Sequence, residues 1–485
     1  MSTPSVSQQA AASNQSSGAA GTAGNTAATC PATKLEIGVF FDGTNNNTAN
    51  VAAGERGEGA GGASYDNGRS NVSLLSDLYK RKSDDWEQDG TGYCKKFGRI
   101  YVSGIGTTDN VSDYRPDNIA GATFGTGPSG VEARVFQACL DLGHLITQLS
   151  GGNEPEEITV DVFGFSRGAA AARYFVNCFR QGFIKYNAVD WSIWRGIHID
   201  ENEASVPEGR NVVFRFVGIF DTVAAIGLGT NDDNGPVNVH CSSAQAEMIY
   251  HLTAANEYRE NFRLNHNKPG GGQTRELPGA HSDVGGGYRA GPENVLLESA
   301  QDRTFHSRAQ AEAARSVDIA AARKAQTAQT SFWVSEGWIE PGNPSGALQN
   351  MPTEIVERRV RGVTGLMLGA HTYTYTNSLR MQRDHVKAGL NTIPLRIMYN
   401  KAIAQKVPFK SFPSGSLYAP PSDMPAGVAA RMISGGEPTE AERRALLQGW
   451  GHISSRRDSF IDRLGFAPDV GFQRVIYPNE PGKAK

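Results

Sequence analysis

Short apolar segments that end in glycine or polar residues recur along the first half of the chain, and they predict buried β-strands. The segments are residues 35–41, 99–107, 158–163 and 211–220. Between the second and the third, residues 129–150 carry apolar side chains at steps of three and four, which predicts one buried face of a helix. Strands that alternate with helices indicate an α/β fold, in which a mostly parallel sheet is covered by helices on both faces.

The chain divides into three predicted parts. Residues 1–33 carry no charge and are mostly small or polar, so they cannot bury enough apolar surface to fold and are expected to be a disordered tail. Residues 34–300 are expected to form the α/β core. Residues 301–485 are expected to be a mainly helical cap and C-terminal region packed on the core, because segments 300–330 and 389–409 have helical patterns.

Composition narrows the classes of function. The 485 residues include 39% hydrophobic and 20% charged residues, which is typical of a soluble globular protein. A net charge of −3 gives no reason to expect a nucleic-acid partner, and no apolar run reaches the length of a membrane span. The five cysteines lack CxxC or Cys/His ligand spacing, so neither a disulfide framework nor a zinc site is expected. Glycine motifs for nucleotides are also missing, and no cofactor or metal is expected.

Residues 160–175, VDVFGFSRGAAAARYF, place Ser166 where a predicted strand becomes an alanine-rich helix. A tight strand-to-helix turn strains its middle residue, pushes that side chain outward and needs small residues two positions before and after. Gly164 and Gly168 meet this need, so the segment fits a nucleophile elbow of the form GxSxG. The motif is weak alone in a chain with 56 glycines, and the rest of the chain must supply a base and an acid.

A serine hydroxyl becomes a strong nucleophile only when a base, usually a histidine held by a carboxylate, accepts its proton. Asp221 is the preferred acid because it lies where the strand 211–220 ends, although an ordinary turn aspartate would occupy the same place. His281 is the preferred base because glycines flank its loop on both sides. Asp283 is a rival acid that is better suited to shaping this loop, and His452 is a second candidate base.

Ester hydrolysis by a serine also needs two backbone N–H donors for the developing negative charge, the oxyanion hole. One donor should be the amide of Arg167, which follows the nucleophile. The other should come from the turn after the first strand, where Gly43 and Thr44 are the candidates. Asp42 is expected to brace this turn through hydrogen bonds. The Arg167 side chain is expected to form a salt bridge or lie at the surface, rather than to receive an anionic headgroup.

Several separated motifs agree with this interpretation. They are FFDGTNNN, YVSGIGT, GFSRGAAAAR, GIFDTVAAIG, HLTAANEYRENF and PGAHSDVGGGY, followed later by IPLRIMYNKA. In this order the set closely resembles the α/β-hydrolase domain of phospholipase effectors delivered by the bacterial type VI secretion system, mainly over residues 34–290. The resemblance implies an α/β-hydrolase fold. It also implies that Ser166 is the nucleophile, Asp221 the acid and His281 the base.

The same resemblance implies a biological role. It implies a phospholipase of the A type that hydrolyses acyl esters of membrane phospholipids and acts as an antibacterial effector, with a secretion spike protein and a cognate immunity protein as partners. It implies synthesis in the cytoplasm without a signal peptide and action in the periplasm of the target cell, and residues 1–33 lack the basic start and apolar centre of a secretory signal. The alternatives are a serine esterase for a soluble ester and a non-catalytic, spike-associated protein with an inert hydrolase-like core.

Overall fold

The computed structural model describes residues 33–81, 87–88, 92–186, 189–192, 212–227, 234–235, 237–297, 301–342, 348–350, 354–361, 367–456, 467–468 and 470–480. The predicted tail, residues 1–33, lies outside these ranges except for Thr33, which begins the first strand.

The described strands are β1 (Thr33–Phe41), β2 (Glu87–Gln88), β3 (Cys94–Val102), β4 (Glu157–Phe165), β5 (Phe183–Tyr186), β6 (Val189–Ser192), β7 (Val212–Phe220), β8 (Met248–Ala254), β9 (Leu264–Asn265), β10 (Gln273–Leu277), β11 (Gly291–Leu296), β12 (Gln301–Phe305), β13 (Leu348–Asn350), β14 (Val356–Arg361), β15 (Met367–Asn377), β16 (Leu379–Val386) and β17 (Ile476–Tyr477). The described helices are α1 (Thr48–Glu55), α2 (Ala63–Asp66), α3 (Asn71–Leu78), α4 (Pro116–Phe124), α5 (Val131–Ser150), α6 (Arg167–Gln181), α7 (His281–Gly285), α8 (Arg308–Ser335), α9 (Thr392–Ala404), α10 (Val428–Ile433) and α11 (Glu440–Gly449).

A central sheet organises the molecule. Within the described residues it has seven strands in the order β10-β8-β7-β4-β1-β3-β2, and all neighbours are parallel except β2 and β3. The four strands predicted from the sequence are β1, β3, β4 and β7, and the predicted α/β class is confirmed. Because all these parallel strands end at one edge, residues that follow β1, β4, β7 and β10 gather there.

The two faces of the sheet are buried by different helices. On one face, Val39 and Val162 share an apolar cluster with residues of α5 and α6. On the other face, Phe40 and Phe163 share a second cluster with residues of α3 and α9. Burial on both sides explains why these strands read as nearly continuous apolar runs rather than alternating ones.

The predicted helices of the second half form, together with strands that were not predicted. Segment 389–409 contains α9, and Pro394 lies in its first turn, where a missing N–H costs no helical hydrogen bond. The helical pattern of 300–330 belongs to α8, whereas residues 301–305 form β12. No helix in the described part of the chain is long and apolar enough to cross a membrane.

Antiparallel strands give this second half a mixed character. They form two three-stranded sheets within the described residues, β11-β16-β13 and β12-β15-β14. The sequence of β15 alternates threonine and tyrosine over residues 372–376, a composition that favours strands because branched and aromatic side chains fit a pleated surface.

The structure contains a disulfide that the cysteine spacing did not predict. Cys94, the first residue of β3, is disulfide-bonded. Cys139, Cys178 and Cys241 are free and buried.

Candidate active site

Ser166 lies between β4 and α6 in the strained turn that the sequence predicts. Its backbone has φ 59° and ψ −127°, which a residue with a side chain rarely adopts. A Cβ on Gly164 would lie 2.4 Å from the carbonyl oxygen of Gly168, and a Cβ on Gly168 would lie 2.3 Å from the carbonyl oxygens of Phe41 and Asp42. These are backbone atoms that cannot rotate away. The predicted elbow geometry is confirmed, and it depends on both glycines.

Asp221 and His281 meet at the carboxyl edge of the sheet. Asp221 directly follows β7, and His281 begins α7 a few residues after β10. Their side chains are buried, and Asp221 Oδ2 lies 2.5 Å from His281 Nδ1. The Asp221 backbone N–H donates to the carbonyl oxygen of Leu252, and Asp221 Oδ1 accepts the N–H of Ala254. Strand β8 therefore holds both the backbone and the carboxylate of Asp221.

The second ring nitrogen of His281 is left without a partner. Nε2 is buried and has no hydrogen bond within the described residues, including none to Ser166. The imidazole packs 4.6 Å from the ring of Phe165, the residue before the elbow serine, and 5.0 Å from that of Phe262. An unpartnered Nε2 held by neutral rings is available to accept a proton.

The charges around the pair keep the carboxylate ionised. Burial opposes ionisation of Asp221, but Arg474 and His281 outweigh it and hold the pKa of Asp221 well below its usual range. Burial lowers the pKa of His281 although Asp221 acts in the opposite direction. The lowered pKa favours a neutral His281 ring near pH 7, which is the form that a general base needs.

Arg474 contacts Asp221 and was missed by sequence reasoning. Its Nη1 and Nη2 donate to the two carboxylate oxygens of Asp221 at 2.7 and 2.9 Å. It lies far along the chain from the other site residues and in no motif, so no sequence pattern indicated it.

A second ion pair, between Glu257 and Arg259, supports the loop that carries His281. Glu257 accepts the backbone N–H of His281 at 3.3 Å and two hydrogen bonds from the Arg259 guanidinium. Burial opposes its ionisation, but Arg259 and other cations lower the pKa of Glu257 to about 2. Ser454 also donates to it. Glu257 and Arg259 lie in the motif HLTAANEYRENF, so the sequence marked this segment without assigning its role.

The turn after β1 lies beside the elbow. Asp42 Oδ1 accepts the Gly43 N–H at 2.8 Å, and Asp42 Oδ2 accepts the hydroxyl of Tyr101 at 2.6 Å. The bracing role expected of Asp42 is confirmed. Because the Gly43 amide is engaged in this way, Thr44 becomes the better of the two candidates for the second oxyanion donor.

The Arg167 side chain ties together the loops around Ser166. It donates to the carbonyl oxygens of Ala122, Thr123, Ala224 and Ala225 and to the hydroxyl of Thr44, at 2.8–3.3 Å. Burial lowers its pKa to about 10. Among the described residues its partners are carbonyl and hydroxyl oxygens, and none is a carboxylate.

The rival acid and the second candidate base are bound to each other. Asp283 Oδ1 lies 2.8 Å from His452 Nδ1, and Asp283 Oδ2 accepts the N–H groups of His452 and Ala280 at 2.9 Å. The His452 ring stacks on Tyr288 at 4.3 Å. Asp283 thus shapes the loop that carries His281, as expected, and joins it to the C-terminal region.

A comparison with known protein families finds a model that matches part of this chain. Residues 180–307 match the model of the type VI secretion phospholipase effector Tle1-like catalytic domain. The predicted family resemblance is confirmed. The matched segment contains Asp221 and His281 and begins after Ser166.

A solved structure supports the fold. The structure of the Tle1 effector bound to the VgrG spike from the type 6 secretion system is 23% identical and superposes with a TM-score of 0.62, covering 92% of this chain and 94% of that one. An uncharacterised protein from Pseudomonas aeruginosa is 21% identical, with a TM-score of 0.32 over 53% of this chain and 42% of that one. No curated protein matches the sequence significantly.

Proposed function

We propose that this chain is a serine-dependent phospholipase of the A type and an antibacterial effector of the type VI secretion system. The observation that carries the proposal is the pairing of His281 with Asp221 at 2.5 Å, next to the strained elbow that presents Ser166. The match to the Tle1-like phospholipase catalytic domain supports the class of reaction.

In the first half of the proposed reaction, the Ser166 Oγ bonds to the ester carbonyl carbon while its proton passes to His281 Nε2. Asp221 holds Nδ1–H, which leaves Nε2 as the basic nitrogen, and its charge stabilises the imidazolium that forms. The carbonyl oxygen becomes an oxyanion that the backbone amides of Arg167 and Thr44 are proposed to bind.

In the second half, the oxyanion collapses, the bond to the leaving alcohol breaks, and His281 gives that oxygen its proton. The products are a lysophospholipid and an acyl ester on Ser166. Water then attacks this ester with His281 again as base, which releases the fatty acid and restores the serine.

A lipid surface is favoured over a soluble ester by apolar side chains on α4 and just before it. Tyr114, two residues before the helix, and Ile119, within it, are 72% and 47% exposed, and α4 also places the carbonyls of Ala122 and Thr123 on the Arg167 side chain. Large apolar side chains exposed beside a nucleophile elbow fit a substrate held in a bilayer. A serine esterase for soluble esters would share the triad but gain nothing from these side chains.

The partners are proposed on the same basis. The similar Tle1 effector is bound to a VgrG spike, which supports a spike protein as the carrier of this chain. A cognate immunity protein and action at the membrane from the target-cell periplasm follow from the effector role.

The decisive experiment is mass spectrometry of products from a phospholipid with two different acyl chains, using wild-type protein and Ser166→Ala. We expect a lysophospholipid and one free fatty acid from wild type, and a rate at least about a thousandfold lower from the folded variant. Cleavage of a soluble ester but of no phospholipid would favour the esterase, and a wild type inert on both would favour the non-catalytic protein. Equal activity of Ser166→Ala would exclude Ser166 as the nucleophile.

A further inference from the structure

The carboxylate of Asp221 is shared between two cationic or potentially cationic groups. His281 Nδ1 approaches Oδ2, and Arg474 forms a two-pronged pair with Oδ1 and Oδ2. With the Ala254 N–H on Oδ1, the described residues give this carboxylate four hydrogen bonds from buried or backbone donors. The Asp221 side chain is fully buried and that of Arg474 is 9% exposed, so water screens this arrangement very little.

We propose that Arg474 is a positioning residue of the triad, which fixes the orientation of Asp221 and limits how strongly its charge acts on His281. The inference rests on the function proposed above for Ser166, His281 and Asp221. Within the described residues Arg474 forms no hydrogen bond with Ser166 or with His281 Nε2, so it acts through the acid.

The geometry favours an orienting role. A guanidinium is planar and matches both oxygens of a carboxylate at once, so it fixes rotation of the carboxylate as well as its place. Arg474 is itself fixed, because its Nε donates to the carbonyl of Phe262 at 2.6 Å. Rotation of Asp221 would take Oδ2 out of line with Nδ1 of His281 and release the tautomer that the reaction needs.

The charges around Asp221 and His281 support the second part of the proposal, that Arg474 limits how strongly the Asp221 charge acts on His281. The groups that face the Asp221–His281 pair are Arg474, Glu257, Arg259 and His251, and Glu257 and Arg259 already pair with each other. Arg474 is therefore the cation that neutralises Asp221. Without it the pair would take up a proton more readily, wherever that proton resides, and the base would be blocked at a higher pH.

The position of Arg474 also links the site to the C-terminal segment 470–480. Strand β17, which belongs to this segment, pairs with β9. Asn479 forms hydrogen bonds with the backbone of Cys241 and Pro269 at 2.7–2.8 Å. Asn479 helps to hold the segment but forms no hydrogen bond with Asp221 in the described part of the chain. Substitution of Asn479 therefore separates loosening of the segment from loss of the Arg474 charge.

The test is the pH profile of kcat/KM on a soluble short-chain ester for wild type, Arg474→Gln, Arg474→Lys and Asn479→Ala, with Ser166→Ala as the blank. In Arg474→Gln we expect the acidic limb to move up by about one pH unit and kcat to fall at least about tenfold, with KM little changed. In Arg474→Lys the limb should stay near that of wild type while kcat falls, because the charge remains but the planar fork is lost.

Asn479→Ala should leave the acidic limb in place. The inference fails if Arg474→Gln keeps the wild-type limb, or if Asn479→Ala moves it equally. Should Arg474→Gln not fold, Arg474→Lys with wild-type kcat would overturn the inference. An active Ser166→Ala would instead overturn the proposed function, so the two failures are distinguishable.

Discussion

At the scale of single residues, two buried aspartates each hold a histidine through Nδ1, and their surroundings distinguish them. Asp221 shares its carboxylate with Arg474 and lies at the end of a sheet strand. Asp283 instead accepts the backbone N–H of Ala280, which precedes α7, and the backbone N–H of His452. The first environment suits a triad acid, and the second suits a residue that joins two segments.

We expect Asp221→Asn to reduce mainly activity and Asp283→Asn to reduce mainly stability. Asp221→Asn should lose activity by about 10⁴-fold, because an amide no longer fixes the required tautomer of His281. Asp283→Asn should lose about 3 kcal/mol of stability, since it leaves a buried histidine without its ion-pair partner, and much less activity. Ester hydrolysis and thermal melting of both variants check this. The opposite ranking of activities would move the triad acid to Asp283.

The pair of His452 and Asp283 should also make stability depend on pH. Burial opposes the charged form of His452, but Asp283 and Glu293 outweigh it and raise its pKa. Its stabilising contribution is therefore complete below the unfolded pKa of about 6.5 and is lost as pH rises through the higher folded value.

In thermal melts, the midpoint gap between wild type and His452→Gln should be largest near pH 6 and shrink by about pH 9. A gap that stays constant across this range would mean that His452 contributes only through packing on Tyr288.

At the scale of elements, the junction of β4 and α6 depends on space that only glycine leaves. Gly168→Ala would place a Cβ 2.3 Å from two backbone oxygens of β1 and its turn. We expect it to cost about 1–3 kcal/mol of stability and most of the activity, because Ser166, the proposed nucleophile, must move. Gly449→Ala is the matched control, since a Cβ there has nothing within 4 Å. Urea unfolding and ester hydrolysis measure both effects, and an active, stable Gly168→Ala would disprove the steric argument.

The exposed apolar side chains of α4 and of Tyr114 just before it should matter for hydrolysis at membranes and not for soluble esters. The double variant Tyr114→Ser and Ile119→Ser should hydrolyse phospholipid vesicles at least about fivefold more slowly, because each exposed apolar side chain contributes about 1 kcal/mol of membrane contact. Its rate on a short-chain soluble ester should stay near that of wild type. Val317→Ser on α8 changes a residue that is 68% exposed and serves as control. Equal losses on both substrates would indicate damage to the elbow loops instead of weaker membrane contact.

At the scale of the whole molecule, the proposed effector role predicts toxicity that depends on compartment. Expression with an added periplasmic signal peptide should be toxic to a bacterial host, and expression in the cytoplasm should be tolerated much better. Ser166→Ala and His281→Ala should each remove the toxicity, since both block the same proton transfer. Colony counts with matched protein levels measure this. If all three proteins kill equally, lipid hydrolysis is not the cause.

The sequence by itself determined the features that depend on neighbours along the chain. Apolar runs predicted β1, β4 and β7 because a strand buried on both faces needs continuous apolar residues. Gly164 and Gly168 marked the elbow because the steric demand of that turn falls on residues two positions away. Glycine and polar residues at strand ends predicted that Ser166 and Asp221 lie at one edge of the sheet, and flanking glycines marked the loop of His281.

Only the tertiary structure decided which distant groups meet. Asp221 and Asp283 were both plausible partners for a histidine until the fold set one on His281 and the other on His452. Arg474 could not be found at all, because its contact depends on how the C-terminal segment packs along β9. A local pattern records what a residue needs from its neighbours, whereas an ion pair across hundreds of residues is fixed by the path of the whole chain.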